Sequence, residues 1–168
     1  MSDPHTAKLQ TGYIFLCGGT TTSWRSIKQT LVSTSSNHSE IIALYETACE
    51  CVWLRSLIQH IHRSCGTMSN VDSPTVLYED NAACVAQMSN RYIKGYLTKH
   101  IAPKFFYPHE LQKSGEILLI ENVRSSENLA DLFTKCLPTS IFEKYVYKIG
   151  MRKLGRLLSS GVAINSKV

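Results

Sequence analysis

Residues 74–81 read Pro74-Thr75-Val76-Leu77-Tyr78-Glu79-Asp80-Asn81. Pro74–Tyr78 is a short apolar run of the length and composition of a buried strand. It stops at Glu79-Asp80-Asn81, and Ala82–Met88 then reads as a helix. A buried strand that passes through a polar step into a helix favours a layered α/β arrangement.

The flanking sequence agrees with this. Upstream, Thr11–Cys17 is rich in β-favouring residues, Gly18-Gly19 makes a turn, and Thr20–Trp24 reads as a second strand, which together predict a hairpin. Gln29–Ser36 is a polar bridge. A long helix is expected from about Asn37 to His62, because Ile41, Leu44, Ala48, Val52 and then Leu57 or Ile61 recur at helical spacing. Asn37 followed by Glu40 three residues later has the spacing of a cap. Ser64–Ser73 reads as a loop.

Downstream, residues 89–97 form a looser basic and aromatic stretch. Thr98–Lys113 is expected to be helical with Ile101, Phe105 and Leu111 inward. Pro108 predicts a break there, since an interior proline costs about 3 kcal/mol. Glu116–Val123 reads as a strand, Ser125–Leu137 as a helix interrupted by Pro138, and Phe142–Leu158 as a last amphipathic helix. The expected order is β-β-α-β-α-α-β-α. Residues 1–10 read as irregular, 11–150 as one domain, and 151–168 as a helix end and frayed tail.

The 168 residues are 43% hydrophobic, enough for a core of one domain. Eighteen Lys and Arg against 13 Asp and Glu leave a formal charge of +5, which permits a polyanionic partner without requiring one. None of the six cysteines forms a C-x-x-C pair, and Cys49 and Cys51 are spaced for neither zinc nor redox chemistry. Cys17 and Cys84 lie in apolar runs and read as small core residues. Free thiols imply a reducing, intracellular setting, cytoplasmic or nuclear. Met1–Gln10 is polar and holds Pro4, unlike a signal peptide, and no apolar run is long enough to span a bilayer.

Three carboxylates stand where strands end or helices begin: Glu40, Asp80 and Asp131. Functional groups gather at such places in open α/β sheets. Three converging acids could hold divalent cations for phosphodiester hydrolysis. Each also has a plainer reading. Glu40 can cap its helix and complement the dipole, Asp80 can be an N-cap, and Asp131 can be a surface acid favoured in a first turn. Tyr78-Glu79-Asp80-Asn81 superficially matches the Y-x-D-D signature of polymerases. It carries Asn where the second Asp belongs, however, and leads into a helix.

Several blocks occur in one order. They are Thr11-Gly12-Tyr13-Ile14-Phe15 with Gly18-Gly19, Ser23-Trp24-Arg25-Ser26 with Lys28-Gln29, and Ser35-Ser36 through Glu40 to Leu44. Then come Glu50–Arg55, Tyr78 with Asp80-Asn81, Thr98-Lys99-His100-Ile101, and Glu127–Lys135. In this order and spacing, over roughly residues 8–150, the chain resembles the RNase H-like domain of copia-type retrotransposon Pol polyproteins. The resemblance implies an α/β RNase H-like fold with a mixed five-stranded sheet and flanking helices. It implies hydrolysis of the RNA strand of RNA–DNA hybrids in reverse transcription, with two Mg²⁺ or Mn²⁺ ions and a reverse transcriptase domain in the same polyprotein. No membrane is implied. It assigns catalytic and metal-binding roles to Glu40, Asp80 and Asp131.

The chain departs from that pattern in three places. The family's leading Asp lies on a strand upstream of the Thr-Gly-Tyr block. Only Asp3 stands there, beside Pro4 in a polar segment. The fold is therefore expected one strand short and the chain inactive as a nuclease, the alternative being a non-catalytic nucleic-acid-binding or interaction remnant. Ala102 occupies a position where the family has Asp, and Pro108 interrupts the next helix.

Arg25, Lys28, Gln29, Lys94, Lys99 and His100 are the candidates for phosphate contact. Tyr92 and Tyr96 interleave with Arg91 and Lys94 as on a strand-tracking surface. An ordinary solvated basic loop would look the same. Trp24 and Trp53 are expected in the core.

Overall fold

The computed structural model describes residues 9–31, 33, 35–67, 73–89, 101–115 and 117–152. In chain order the elements are strands β1 (Gln10–Cys17) and β2 (Thr20–Lys28), helix α1 (Ser36–Cys65), strand β3 (Thr75–Glu79), helices α2 (Ala82–Ser89) and α3 (Ala102–Ser114), strand β4 (Leu118–Asn122) and helix α4 (Thr139–Lys148). Two 3-10 turns, Ser125–Glu127 and Leu129–Phe133, stand between β4 and α4. The protein is thus of mixed α/β class.

The strands pair in two separate sets. β1 and β2 form an antiparallel hairpin, irregular between Phe15 and Leu16, and β3 and β4 pair in parallel. Neither pair is hydrogen-bonded to the other. Parallel pairing needs a crossover, and α2 and α3 supply it.

The core lies between α1 and the β3–β4 pair. Ile41, Leu44, Ala48 and Cys51 of α1 pack with Leu77 of β3, Cys84 and Met88 of α2, Phe105 of α3, and Leu118 and Ile120 of β4. The predicted α1 stripe is seen in its first half only. Leu57 and Ile61 are exposed, because the last turns of this 30-residue helix run past the strands they would cover.

Several local expectations are corrected. The cap of α1 is Ser35, whose hydroxyl accepts from His38 N at 3.2 Å, while the Asn37 amide donates to Gln87 at 2.8 Å. Pro108 is buried within α3, which continues through it, and Pro103 sits in the first turn where its missing N–H costs nothing. The stretch after β4 forms two 3-10 turns in place of a helix. Asn128 accepts from Ala130 N at 3.1 Å and holds the second turn tight. The final helix is short, ending at Lys148. Cys84 is buried but Cys17 is exposed at the hairpin end. Trp24 and Trp53 are 62% and 56% exposed, because each lies on a face that no element among the described residues covers. Among the described residues no helix is long and apolar enough to cross a membrane.

Candidate functional site

The two strand pairs leave a cleft of about 540 Å³ between β1 and β3. Residues of α1 and the turn Leu129–Phe133 also line it, and Glu40, Glu79, Asp80, Asp131 and Lys135 stand on its wall. The three acids chosen from the sequence are therefore brought to one place.

Each reaches the cleft for a local reason. Glu40 lies in the second turn of α1, one residue before the buried Ile41-Ile42 pair that seats the helix. Asp80 follows β3, where the chain leaves the sheet. Its neighbour Asn81, and not Asp80, caps α2, accepting from Ala83 N at 3.0 Å and Cys84 N at 3.1 Å. Asp131 is carried by the second 3-10 turn and is only 7% exposed. That turn packs on β1 at Gly12, where a Cβ would stand 2.5 Å from Thr134 Cγ2 and 3.0 Å from Phe133 Cβ. Glycine at this position permits the close approach.

Lys135 joins the acids. Its ammonium lies 2.9 Å from Asp131 Oδ1, 3.0 Å from Oδ2 and 3.8 Å from Asp80 Oδ2. Burial pulls the amine down, but the hydrogen bond to Asp131 and the charges of Asp131, Asp80 and Glu40 outweigh it and hold the amine above its ordinary range. Burial raises the Glu40 carboxyl, the charges of Asp80 and Asp131 raise it further, and Lys135 opposes them. Glu40 is thus a partly buried acid among like charges, which one half-exposed cation, Lys135, partly offsets.

Glu79 is a member that the sequence reading missed. It ends β3, is buried, and accepts from Asn81 N at 3.0 Å. Burial, then the Glu40 carboxylate, push its carboxyl up to about 7. The available signal was strand alternation, which places Glu79 on the same face as the buried Leu77. Lys135 also had a signal, since it follows Asp131 by four residues in the Glu127–Lys135 block.

The donors are hard carboxylate oxygens, the type Mg²⁺ prefers. Their arrangement does not fit a two-metal centre. Lys135 fills the space between Asp80 and Asp131, and among the described residues no three His, Cys, Asp or Glu side chains are grouped to hold a metal.

Of the expected phosphate contacts, Arg25 and Lys28 are exposed on β2. Gln29 is corrected: it is 2% exposed and donates to Thr11 Oγ1 at 3.2 Å and Ser39 O at 2.9 Å, tying the hairpin to α1. It offers no surface to a phosphate. Lys94, Lys99, His100, Arg91, Tyr92 and Tyr96 lie outside the described residues.

No family model matches the chain, and no solved structure does. It is 30% identical over 144 residues to the retrovirus-related Pol polyprotein from transposon TNT 1-94 of Nicotiana tabacum, covering 86% of this chain and 10% of that protein. It is 29% identical over 143 residues to the Pol polyprotein from transposon RE1 of Arabidopsis thaliana, covering 85% and 9%. A shorter match, 42% over 52 residues, is to secreted RxLR effector protein 161 of Plasmopara viticola, covering 31% and 37%. The chain thus spans about a tenth of the Pol polyproteins it matches.

Proposed function

We propose that this chain, which is homologous to a segment of the retrovirus-related Pol polyproteins of copia-type transposons, is their RNase H-like region, and that it does not cut RNA–DNA hybrids in the form described. One observation carries both halves. Glu40, Asp80 and Asp131, the acids that the motifs select, line one cleft, and Lys135 bridges two of them. The first fact supports descent from a carboxylate-based hydrolase of phosphodiesters. The second supports a cluster in which one ammonium engages the oxygens of Asp80 and Asp131 that the two ions of such chemistry would need.

Incubation of the purified chain with a labelled RNA–DNA hybrid, in Mg²⁺ and separately in Mn²⁺, tests the reading. The expected result is intact RNA in both. Cleavage that Asp80→Asn abolishes would keep the RNase H assignment and overturn the inactive state. Cleavage of single-stranded RNA that ignores the three acids would overturn the assignment itself.

A second reading, nucleic-acid binding without chemistry, is favoured by β2. Alternation puts the exposed Trp24 on the same strand face as Lys28, and Arg25 is exposed on the opposite face. An aromatic ring on one face with a cation is a surface on which a base can stack and a phosphate can pair. Hybrid binding that weakens steeply with salt and falls on Trp24→Ala would support it.

A further inference from the structure

Away from the acid cleft, three side chains join α1 to α3, and none of them lines that cleft. Tyr45 of α1 and Tyr107 of α3 meet edge to face, with ring centroids 5.6 Å apart and planes at 69°. Two rings held in this way form an aromatic corner. Lys104, one turn before Tyr107 on α3, places its ammonium 4.1 Å from the centroid of the Tyr45 ring. That distance is within cation–π range. Lys104 stands in the first turn of α3, whose cap, Ile101, makes no side-chain hydrogen bond. The N–H groups at that end of a helix disfavour a cation. Among the described residues no carboxylate lies within ion-pair distance of Lys104. The Tyr45 ring therefore holds this ammonium against the helix dipole.

The corner is fixed in place from its far end. The Tyr45 hydroxyl is hydrogen-bonded with Cys49, one turn along α1. That bond and the Cys49 charge raise the hydroxyl above its ordinary range, and burial, Tyr107 and Glu46 add to the shift. Burial, then Cys49 and Cys51, raise the Tyr107 hydroxyl in the same direction. Both phenols thus keep their protons at neutral pH, and both rings present uncharged π-faces. Tyr107 is 37% exposed and Tyr45 is half-buried, so solvent reaches them. Glu46 beside Tyr45 has a buried oxygen without a hydrogen-bond partner among the described residues. Its charge favours a cation nearby. A lysine ammonium is strongly hydrated and loses that water on a ring face. A trimethylammonium group spreads its charge over methyl groups and suits aromatic walls better.

We propose that the Tyr45–Tyr107 corner is a binding site for a trimethylammonium group, and that Lys104 is a built-in occupant which such a ligand displaces. The rings supply the contact, Cys49 fixes their orientation, and Lys104 sets the affinity by competing.

The full chain is titrated with tetramethylammonium chloride at constant ionic strength, while the ring resonances of Tyr45 and Tyr107 are followed by NMR. The expected result is a saturable shift of both rings, with ammonium chloride about tenfold weaker. Tyr45→Leu should abolish the response, and Tyr107→Leu serves if the first variant fails to fold. Lys104→Ala should tighten binding by about threefold or more, as removal of a competing internal occupant does. Lys113→Ala takes the same charge from the other end of α3 and should leave the affinity unchanged. Two further ligands then identify the carrier. Binding of trimethyl-lysine amide alone assigns a peptide source, binding of phosphocholine alone assigns a choline headgroup, and binding of both supports the shared chemistry. No saturable shift, equal binding of ammonium, an equal gain from Lys113→Ala, no gain from Lys104→Ala, or failure of both larger ligands each overturns the proposal.

Discussion

Lys135 donates to both carboxylate oxygens of Asp131, at 2.9 and 3.0 Å, from four residues along the chain. The same ammonium stands 3.8 Å from Asp80. One ammonium thus offsets part of the charge of the acids on this cleft and stands between two of them.

Lys135→Met tests that role. The ammonium is about half exposed, so the loss is that of a solvent-screened pair, about 1 kcal/mol in urea unfolding. With the cation gone, millimolar Mg²⁺ should raise the melting temperature of the variant more than that of the parent, because an ion that binds only the folded cluster stabilises it. Equal shifts in the two proteins would show that Lys135 does not compete with the ion.

Glu79 makes stability depend on pH. Its carboxyl stands at about 7 in the folded chain, against 4.5 as its ordinary value. Between those values the folded chain binds more protons than the unfolded one, so stability falls as pH rises through this window and is fully present below it. At 1.36 kcal/mol per pKa unit the contribution is about 3 kcal/mol. Glu79→Gln keeps an acceptor for Asn81 N and has no proton to lose. Its stability should change less between pH 5 and pH 7.5 than the parent's, and parallel curves would remove Glu79 as the cause.

Gly12→Ala would drive a methyl into Thr134 Cγ2, with Phe133 Cβ and Ala130 O close behind at 3.0 and 3.3 Å. Overpacking of this kind costs about 1–3 kcal/mol and would shift the turn that carries Asp131. Thr134→Ser removes the nearest atom, so the double variant should recover part of the loss. Additive losses in a double-mutant cycle would show that the two residues are not in contact.

Gln29→Ala should lower stability by about 1–2 kcal/mol, since Ser39 O and Thr11 Oγ1 lose a buried donor. Hybrid binding by the folded variant should be unchanged, whereas Arg25→Ala should weaken binding and flatten its salt dependence. A loss of binding on Gln29→Ala at full foldedness would contradict the buried geometry.

Much of the site was legible from local pattern. Pro74–Tyr78, the hairpin at Gly18-Gly19 and the start of α1 are set by periodicity and turn chemistry, which neighbouring residues carry between them. The ends of these elements also mark where Glu40 and Asp80 stand. Asp131 was legible through its motif, although the helix expected around it is a pair of 3-10 turns. The aromatic residues were not legible. Trp24 and Trp53 have the composition of core residues, but their burial depends on what covers them, and no element among the described residues does.

The amino-acid sequence by itself determined the order of strands and helices and the positions of the three motif acids, because these rest on residue type and spacing along the chain. The tertiary structure alone decided that Lys135 lies between Asp80 and Asp131, that Glu79 is buried, and that β1 and β3 line one cleft. Ion pairing, burial and edge pairing join residues far apart in the chain, and no local pattern records them.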